Sequence, residues 1–365
     1  MPSSLVPAGR DRLALIDSAR RAVLAGEGTR EPLAIEPWLE RSWRRCLALG
    51  QRPEHRLAFD LVSPQARRRT LEANQPLIEA ARPVLEQLSD ALASSRYFAV
   101  VTDALGVVVD AHGPIDRSDR RADLITRVGV DLSEPSVGTT AIGAALAELQ
   151  PVWLHRGEHF FADTSVYSCA GAPLFGPDGR CVGMLDLTGV NAAERPELRH
   201  LAAQSARSIE NALVLQQPHA LLLRLNWPGR ALGGHEDGLL SLDADGWVTG
   251  SNDAARQMLP LLALAGAPTH CGELFAQRAD AWFDAARRHA SAAPLEVALW
   301  SGLRLQALPQ LPGQAAVHVA PKVPLRDVEI ALIRKAVADA RGNVVKAAQS
   351  LGISRATVYR KLGKK

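Results

Sequence analysis

The sequence predicts an α+β, multidomain protein. It would comprise N-terminal helices, an antiparallel sheet with helices, a smaller α+β domain and an all-α C-terminal module. Three observations predict this. Segments of helical period flank stretches that alternate with period two around tight turns, as hairpins do. A second strand–turn–strand–helix pattern follows Trp227. The tail from Gly342 to Lys365 has a helix–glycine–helix punctuation and no strand period. A chain of 365 residues suits two or three domains, and 47% apolar content supports real cores. The boundaries read as 1–75, 76–216, 217–320 and 321–365.

Residues 1–75 read as helices broken by proline and glycine, among them Pro37–Cys46 with Trp38 and Trp43 five apart. From Gln75 to Arg96, Leu77, Ala81, Val84, Leu88 and Ala91 form a narrow seam, suited equally to a partner helix or to the helix's own domain. Tyr97–Thr102 and Val107–Asp110 flank the turn Asp103–Gly106. A helix spans Thr139–Leu149, a strand Pro151–His155, and Ser168–Phe175 and Cys181–Thr188 flank Gly176-Pro177-Asp178-Gly179, a strong turn signature. A long helix from about Ala193 to Leu215 closes this unit. After Trp227, a hairpin on Asp245-Gly246 leads into a helix capped by Asn252, and strands near Leu295–Leu308 complete a third unit. Pro309, Pro312, Pro321 and Pro324 then mark a linker.

The tail carries the sharpest local signals. Asn343 can cap a short helix with Ala347, Ala348 and Leu351 inside, and Gly352 stops it in the left-handed conformation that only glycine adopts cheaply. Ile353 fills the corner. Ser354 caps a second helix that buries Val358 and Leu362. Arg355, Thr357, Tyr359, Arg360, Lys361 and Lys364 are left for solvent or a partner, the arrangement of a helix docked in a major groove. An amphipathic helix from Leu325 to Ala340 precedes it, with Val328, Leu332, Ile333, Ala336, Val337 and Ala340 as its packing stripe. Charge agrees. Of 42 Lys and Arg and 39 Asp and Glu, 11 and 3 fall between Lys322 and Lys365, leaving 31 against 36 elsewhere. A basic tail on a slightly acidic body is the footprint of a nucleic-acid module.

Gly342-Asn343, Ala347-Ala348, Leu351-Gly352-Ile353, Arg355, Thr357, Val358, Tyr359, Arg360, Lys361 and Leu362 resemble the C-terminal domain of the Fis protein and of bacterial enhancer-binding activators. The resemblance implies that Arg355 contacts a base edge while Asn343, Lys346, Thr357 and Arg360 touch phosphates. Val345 and Gly363 depart from the pattern, which puts individual phosphate contacts in question.

Five strings further forward resemble the N-terminal GAF-type sensor of acetoin-catabolism and dihydroxyacetone-operon regulators. They are Ser42-Trp43-x-Arg45-Cys46, Gly138-Thr139-Thr140-Ala141-Ile142-Gly143, Glu158-His159-Phe160, Cys169-Ala170-Gly171-Ala172-Pro173 and Gly183-Met184-Leu185-Asp186-Leu187. Gly238 to Met258 is similar to the opening of a PAS domain. The enhancer-binding family carries a central AAA+ ATPase, yet the sequence has no Gly-x-x-x-x-Gly-Lys-[Ser/Thr] phosphate cradle, and the span from Trp227 to Pro324 is too short for that domain. Independent remodelling of sigma-54 polymerase is therefore not expected.

His155-Arg156-Gly157-Glu158-His159 matches the inverted zinc-peptidase pattern, but that chemistry needs a regular helix, whereas this segment follows a strand and contains Gly157. It reads instead as a polar loop beside a sensor pocket. Trp153, His155, Glu158, His159, Phe160, Tyr167 and Cys169 are the candidate effector residues, against the plainer reading of core packing. Asn343, Lys346, Ser354, Arg355, Thr357, Tyr359, Arg360, Lys361 and Lys364 are the candidate DNA contacts. Cys46, Cys169, Cys181 and Cys271 are scattered, so no disulfide framework, metal site or cofactor is expected and a reducing cytosol is. No signal segment or membrane span is read.

The expected function is a cytoplasmic, homodimeric, ligand-responsive transcription regulator and not an enzyme. Its partners would be double-stranded DNA with paired half-sites, a small-molecule effector, and RNA polymerase or a related regulator. The alternative is an interaction protein that binds a metabolic enzyme or a full-length regulator, with non-specific, architectural DNA binding.

Overall fold

The computed structural model describes residues 9–25, 35–57, 62–263, 268–288, 294–314, 343–350 and 353–362, together with Ile333, Val337 and Ala340. Four helices open it: α1 (Gly9–Leu24), α2 (Pro37–Ala48), α3 (Pro64–Ala73) and α4 (Gln75–Leu92). Pro37, Pro64 and Pro76 begin three of them, in a first turn whose N–H groups have no intrahelical acceptor anyway. One face of α2 buries Trp38, Leu39, Trp43 and Cys46. By contrast α3, capped by Ser63 on the Ala66 N–H, buries no side chain.

β1 (Tyr97–Asp103) and β2 (Val108–His112) form the first hairpin. Asp103 Oδ1 accepts from the N–H groups of Leu105 and Val107, and Gly106 takes φ +85° in the turn. The short helices α5 (Arg120–Ile125), α6 (Glu134–Val137) and α7 (Ala141–Glu148) lead to β3 (Val152–His155), β4 (Tyr167–Phe175) and β5 (Cys181–Val190). The five strands pair antiparallel in the order β2-β1-β5-β4-β3, and α8 (Leu198–Gln216) follows.

Register decides which side chains share a face. Ala99, Leu187 and Ala170 lie side by side across three strands on one face, and Phe98, Thr188 and Cys169 on the other. The outer face packs Ala99, Val101, Ala170, Ala172, Leu185 and Leu187 under α4 and α8. Of the expected α4 seam, Leu77, Ala81 and Leu88 are buried in this layer, Val84 is half-buried and Ala91 is exposed, with Leu85 buried alongside. Most of the stripe is thus spent within the chain rather than offered to a partner helix. The inner face packs Phe98, Val100, Leu154, Cys169 and Met184 with residues of α2, α7 and the 160–161 segment. Gly171 permits the approach of α7, since a Cβ there would lie 2.9 Å from the Ala141 carbonyl oxygen and 2.6 Å from Met184 Cε.

A second antiparallel sheet follows. Its elements are β6 (Leu221–Asn226), β7 (Gly238–Leu242), β8 (Val248–Ser251), α9 (Asp253–Met258), α10 (Cys271–Leu274), α11 (Ala279–Arg288), β9 (Leu295–Ala298) and β10 (Arg304–Gln310), with strand order β8-β7-β6-β10-β9. The hairpin with Gly246 at φ +91°, and the cap of Asn252 on the Ala255 N–H, match the sequence reading. The central strand β6 does not, because it lies ahead of Trp227. Its leucine-rich run carries no period that separates a strand from a continuation of α8. Leu223, Leu225, Leu240, Phe275, Trp282 and Leu305 form the core of this unit.

At the C-terminus α12 (Val344–Ser350) and α13 (Arg355–Leu362) pack through Ala348 and Val358 onto Ile333. The rest of the helix expected from Leu325 to Ala340, apart from Ile333, Val337 and Ala340, lies outside the described residues, as do Leu351, Gly352 and Lys364. Among the described residues no helix is long and apolar enough to cross a membrane.

Candidate functional site

Two regions collect most of the candidate side chains, the inner face of the first sheet and the terminal helix pair. On the inner face, α2 supplies one side chain after another to the loops opposite. Ser42 Oγ donates to Glu134 Oε2 at 2.5 Å and lies 2.8 Å from Thr139 Oγ1. Arg45 grips Glu134 and Glu148, and the Trp43 indole N–H donates to the Glu158 carbonyl at 2.9 Å. Cys46 Sγ lies 3.5 Å from Thr139 Oγ1. The strings Ser42–Cys46, Gly138–Gly143 and Glu158–Phe160 are therefore in direct contact, though more than a hundred residues separate the first from the last.

The His155–His159 segment is a single 3₁₀ turn over Arg156–Glu158, not a regular helix. Glu158 is committed structurally. It accepts from the His155 N–H at 2.6 Å and from Arg12 of α1 at 2.7 and 2.8 Å. Burial pushes its pKa up, and Arg12 and the His155 N–H oppose that shift. Arg20 of α1 donates to the carbonyls of Gly157, His159 and Phe160 at 2.6–3.0 Å, so α1 holds this loop by its backbone.

The seven expected effector residues do not share one pocket. Trp153 belongs to the outer-face core, because its register partner Ala170 points that way, and His155 stacks beside it with Nδ1 2.7 Å from Ser168 Oγ. A strand turns successive side chains to opposite faces, so Leu154 takes the inward position between them. His159, Phe160, Tyr167 and Cys169 do gather on the inner side. Phe160 is fully buried, and the Tyr167 hydroxyl donates to the Arg121 carbonyl at 3.2 Å.

Two further residues complete this face, Asp186 and Thr188 of β5. Thr188 Oγ1 donates to Asp186 Oδ2, and Cys169 Sγ lies 3.5 Å from Thr188 Oγ1. Burial raises the Asp186 pKa to about 7 and pushes the Cys169 thiol well above its ordinary value. His159 Nδ1 lies 3.0 Å from the Arg156 carbonyl, which can only accept, so Nδ1 carries the proton and Nε2 is a bare acceptor. Burial lowers the His159 pKa to about 4 and keeps the ring neutral. His159 Nε2 and Asp186 Oδ1 are both buried and, among the described residues, both lack a hydrogen-bond partner. Such atoms cost about 1–3 kcal/mol each when left unpaired. The Asp186 signal was in the sequence: Met184, Asp186 and Thr188 alternate with Leu185 and Leu187, which puts a carboxyl on the face opposite the leucines.

In the terminal pair both caps form. Asn343 Oδ1 accepts from the N–H groups of Val345 and Lys346, and Ser354 Oγ from the Thr357 N–H at 3.1 Å. The cap engages Asn343 Oδ1 and not its amide nitrogen. Lys346, Ser354, Arg355, Tyr359 and Arg360 are exposed and Thr357 is half-buried. Lys361 lies within α13. Val358 is fully buried beneath them.

Comparison with known proteins finds a family for each of the two segments that carry these residues. The family described as MimR, N-terminal domain, matches residues 16–211, more than half of the chain. The chain belongs to that family. The Fis family of bacterial regulatory proteins matches residues 324–364. The acetoin catabolism regulatory protein of Cupriavidus necator is 33% identical over 262 residues, covering 69% of this chain and 38% of that protein. The propane 2-monooxygenase operon transcriptional activator MimR of Mycolicibacterium goodii is 29% identical over 201 residues, covering 54% and 33%. The chain thus aligns with well under half the length of these relatives. The crystal structure of the E. coli DhaR(N)-DhaL complex is similar at a TM-score of 0.45 and 16% identity, covering 75% of this chain and 99% of that one. Both relatives are named as regulators, and the two family matches place a MimR N-terminal domain ahead of a segment of the Fis family of bacterial regulatory proteins in this chain.

Proposed function

We propose that the chain is a ligand-responsive, sequence-specific DNA-binding regulator, cytoplasmic and homodimeric, with a GAF-type sensor over 76–216, a PAS-like unit over 217–320 and a DNA reader over 321–365. The observation that carries this reading is the terminal pair: two capped helices on a shared core, with Arg355, Tyr359 and Arg360 turned to solvent. In this reading Arg355 meets a base edge while Lys346, Thr357 and Arg360 track the backbone. Two copies would read half-sites about 34 Å apart, one helical turn of DNA.

The effector would bind against the inner face, where His159 Nε2 and Asp186 Oδ1 await partners. His159 can only accept there, so the effector carries a hydroxyl or N–H donor. Loop 156–160, which α1 holds through Arg20 and Arg12, transmits occupancy to the N-terminal helices. RNA polymerase or a full-length relative would be the partner in transcription.

Arg355→Ala tests the DNA-reading half. It should cost about 1–3 kcal/mol in binding and relax specificity at one base position. Gel shifts that show unchanged affinity would sink the assignment. Binding that is salt-dependent yet blind to sequence would favour the alternative, an interaction protein with architectural DNA contact.

A further inference from the structure

Where α8 leaves the first sheet and the chain enters β6, a cleft of about 370 Å³ opens between the two units. That volume lies within the range of small-molecule sites, which favour domain junctions. The surroundings are built. The Asn252 amide donates to Asn211 Oδ1 at 2.7 Å and to the Asp237 carbonyl at 2.7 Å, and the Asn211 amide donates to the His235 carbonyl at 3.1 Å. Beside the cleft, the Ser251 N–H donates to the Pro177 carbonyl at 2.9 Å and ties the second sheet to the β4–β5 turn.

Three lining groups are left over. Glu210 is only 4% exposed; its Oε1 accepts from the Phe175 N–H at 3.0 Å, and its remaining surface lines the cleft. Arg207 and Arg230 also line it and are exposed, and their guanidinium groups form no hydrogen bond or ion pair among the described residues. Trp227, 42% exposed, and Met258 give the lining an apolar part. Glu236 and Asp253 stand on the wall as well. A plain anion would meet three carboxyl groups, and a plain cation two guanidinium groups. A molecule with a carboxylate at one end and a hydrogen-bond donor beside it satisfies both sets.

We propose that this cleft binds a small carboxylic acid bearing a hydroxyl or amino group next to the carboxylate. Arg207 and Arg230 hold the carboxylate, Glu210 accepts from the donor, and the short apolar body lies on Trp227 and Met258. The occupant touches both α8 and α9, so it would stiffen the joint between the two units. This site is separate from the inner face of the first sheet and does not depend on the DNA reading.

Titration calorimetry on the full chain with 2-hydroxybutanoate, 2-aminobutanoate and butanoate tests it. At least one of the two substituted acids should bind tenfold or more tightly than butanoate, and which one does identifies the donor. The double variant Arg207→Gln/Arg230→Gln changes only exposed side chains, so its fold should persist in circular dichroism while the preferred acid binds at least tenfold more weakly. Butanoate binding equally well, unchanged binding by the double variant, or no binding of any of the three would overturn the proposal. None of these readouts involves DNA, so their failure would leave the regulator reading standing.

Discussion

The two faces of the first sheet share the same strands yet obey different rules. The outer face is apolar through its central strands, at Ala99, Val101, Ala170, Ala172, Leu185 and Leu187, and is sealed by α4 and α8; toward its edge it carries Trp153, whose buried indole N–H has no partner among the described residues. The inner face interrupts its apolar packing with Cys169, Asp186 and Thr188 and abuts the buried, neutral His159. Hydrophobic burial alone would favour the first pattern everywhere, because each unpaired buried polar atom costs stability. One face thus holds the fold together mainly by apolar packing, while the other sets a buried carboxyl, a hydroxyl, a thiol and an imidazole within its core.

Truncation on the outer face should have the largest effect on stability. Leu185→Ala removes a fully buried side chain and should cost about 2–5 kcal/mol in urea denaturation. A loss below about 1 kcal/mol would show that this face is looser than its packing suggests. Next comes the clamp over the inner side. Arg20→Met leaves the carbonyls of Gly157, His159 and Phe160 without their donor and should cost about 2 kcal/mol. Hydrogen exchange should quicken in 156–160 before it does so in β1 or β5; uniform quickening would remove the clamp's special role.

The sharpest contrast, read as a slope with pH rather than as a fixed loss, is expected at Asp186. Its carboxyl titrates at about 7 in the folded chain against an ordinary 3.8. Between those values the unfolded chain is ionised while the folded chain keeps the proton, so this group's contribution falls as pH rises from about 4 to 7 and is level above. Asp186→Asn removes that slope. Its thermal midpoint should therefore gain on wild type across that interval, while the effector response is lost. Glu210, raised to about 7 by burial from 4.5, contributes with the same sign. A constant difference between Asp186→Asn and wild type from pH 4 to 8 would contradict the buried, protonated carboxyl.

Legibility in the sequence followed the physics of each segment. Hairpins around Asp103–Gly106 and Gly176–Gly179 were readable because turn residues fix their own geometry and the flanking strands alternate. Both terminal caps were readable because Asn343 and Ser354 act on residues two or three positions away. Strand β6 was not, since Leu221–Leu225 suits a helix or a buried strand equally well and only pairing with β7 and β10 decides. The inner-face residues were half legible. Phe160, Tyr167 and Cys169 came from local composition, but grouping Trp153 with them ignored strand parity. The contacts of Arg12, Arg20 and Ser42 join residues 92 to 182 positions apart, which no local pattern encodes.

The most direct test of the central claim is fluorescence anisotropy with DNA from immediately upstream of the coding sequence, comparing the full chain with one ending at residue 320. Loss of the basic helix pair should weaken binding by about a hundredfold or more and flatten its dependence on salt. Equal affinity and an equal salt slope for the two chains would contradict the claim that the terminal helices grip DNA.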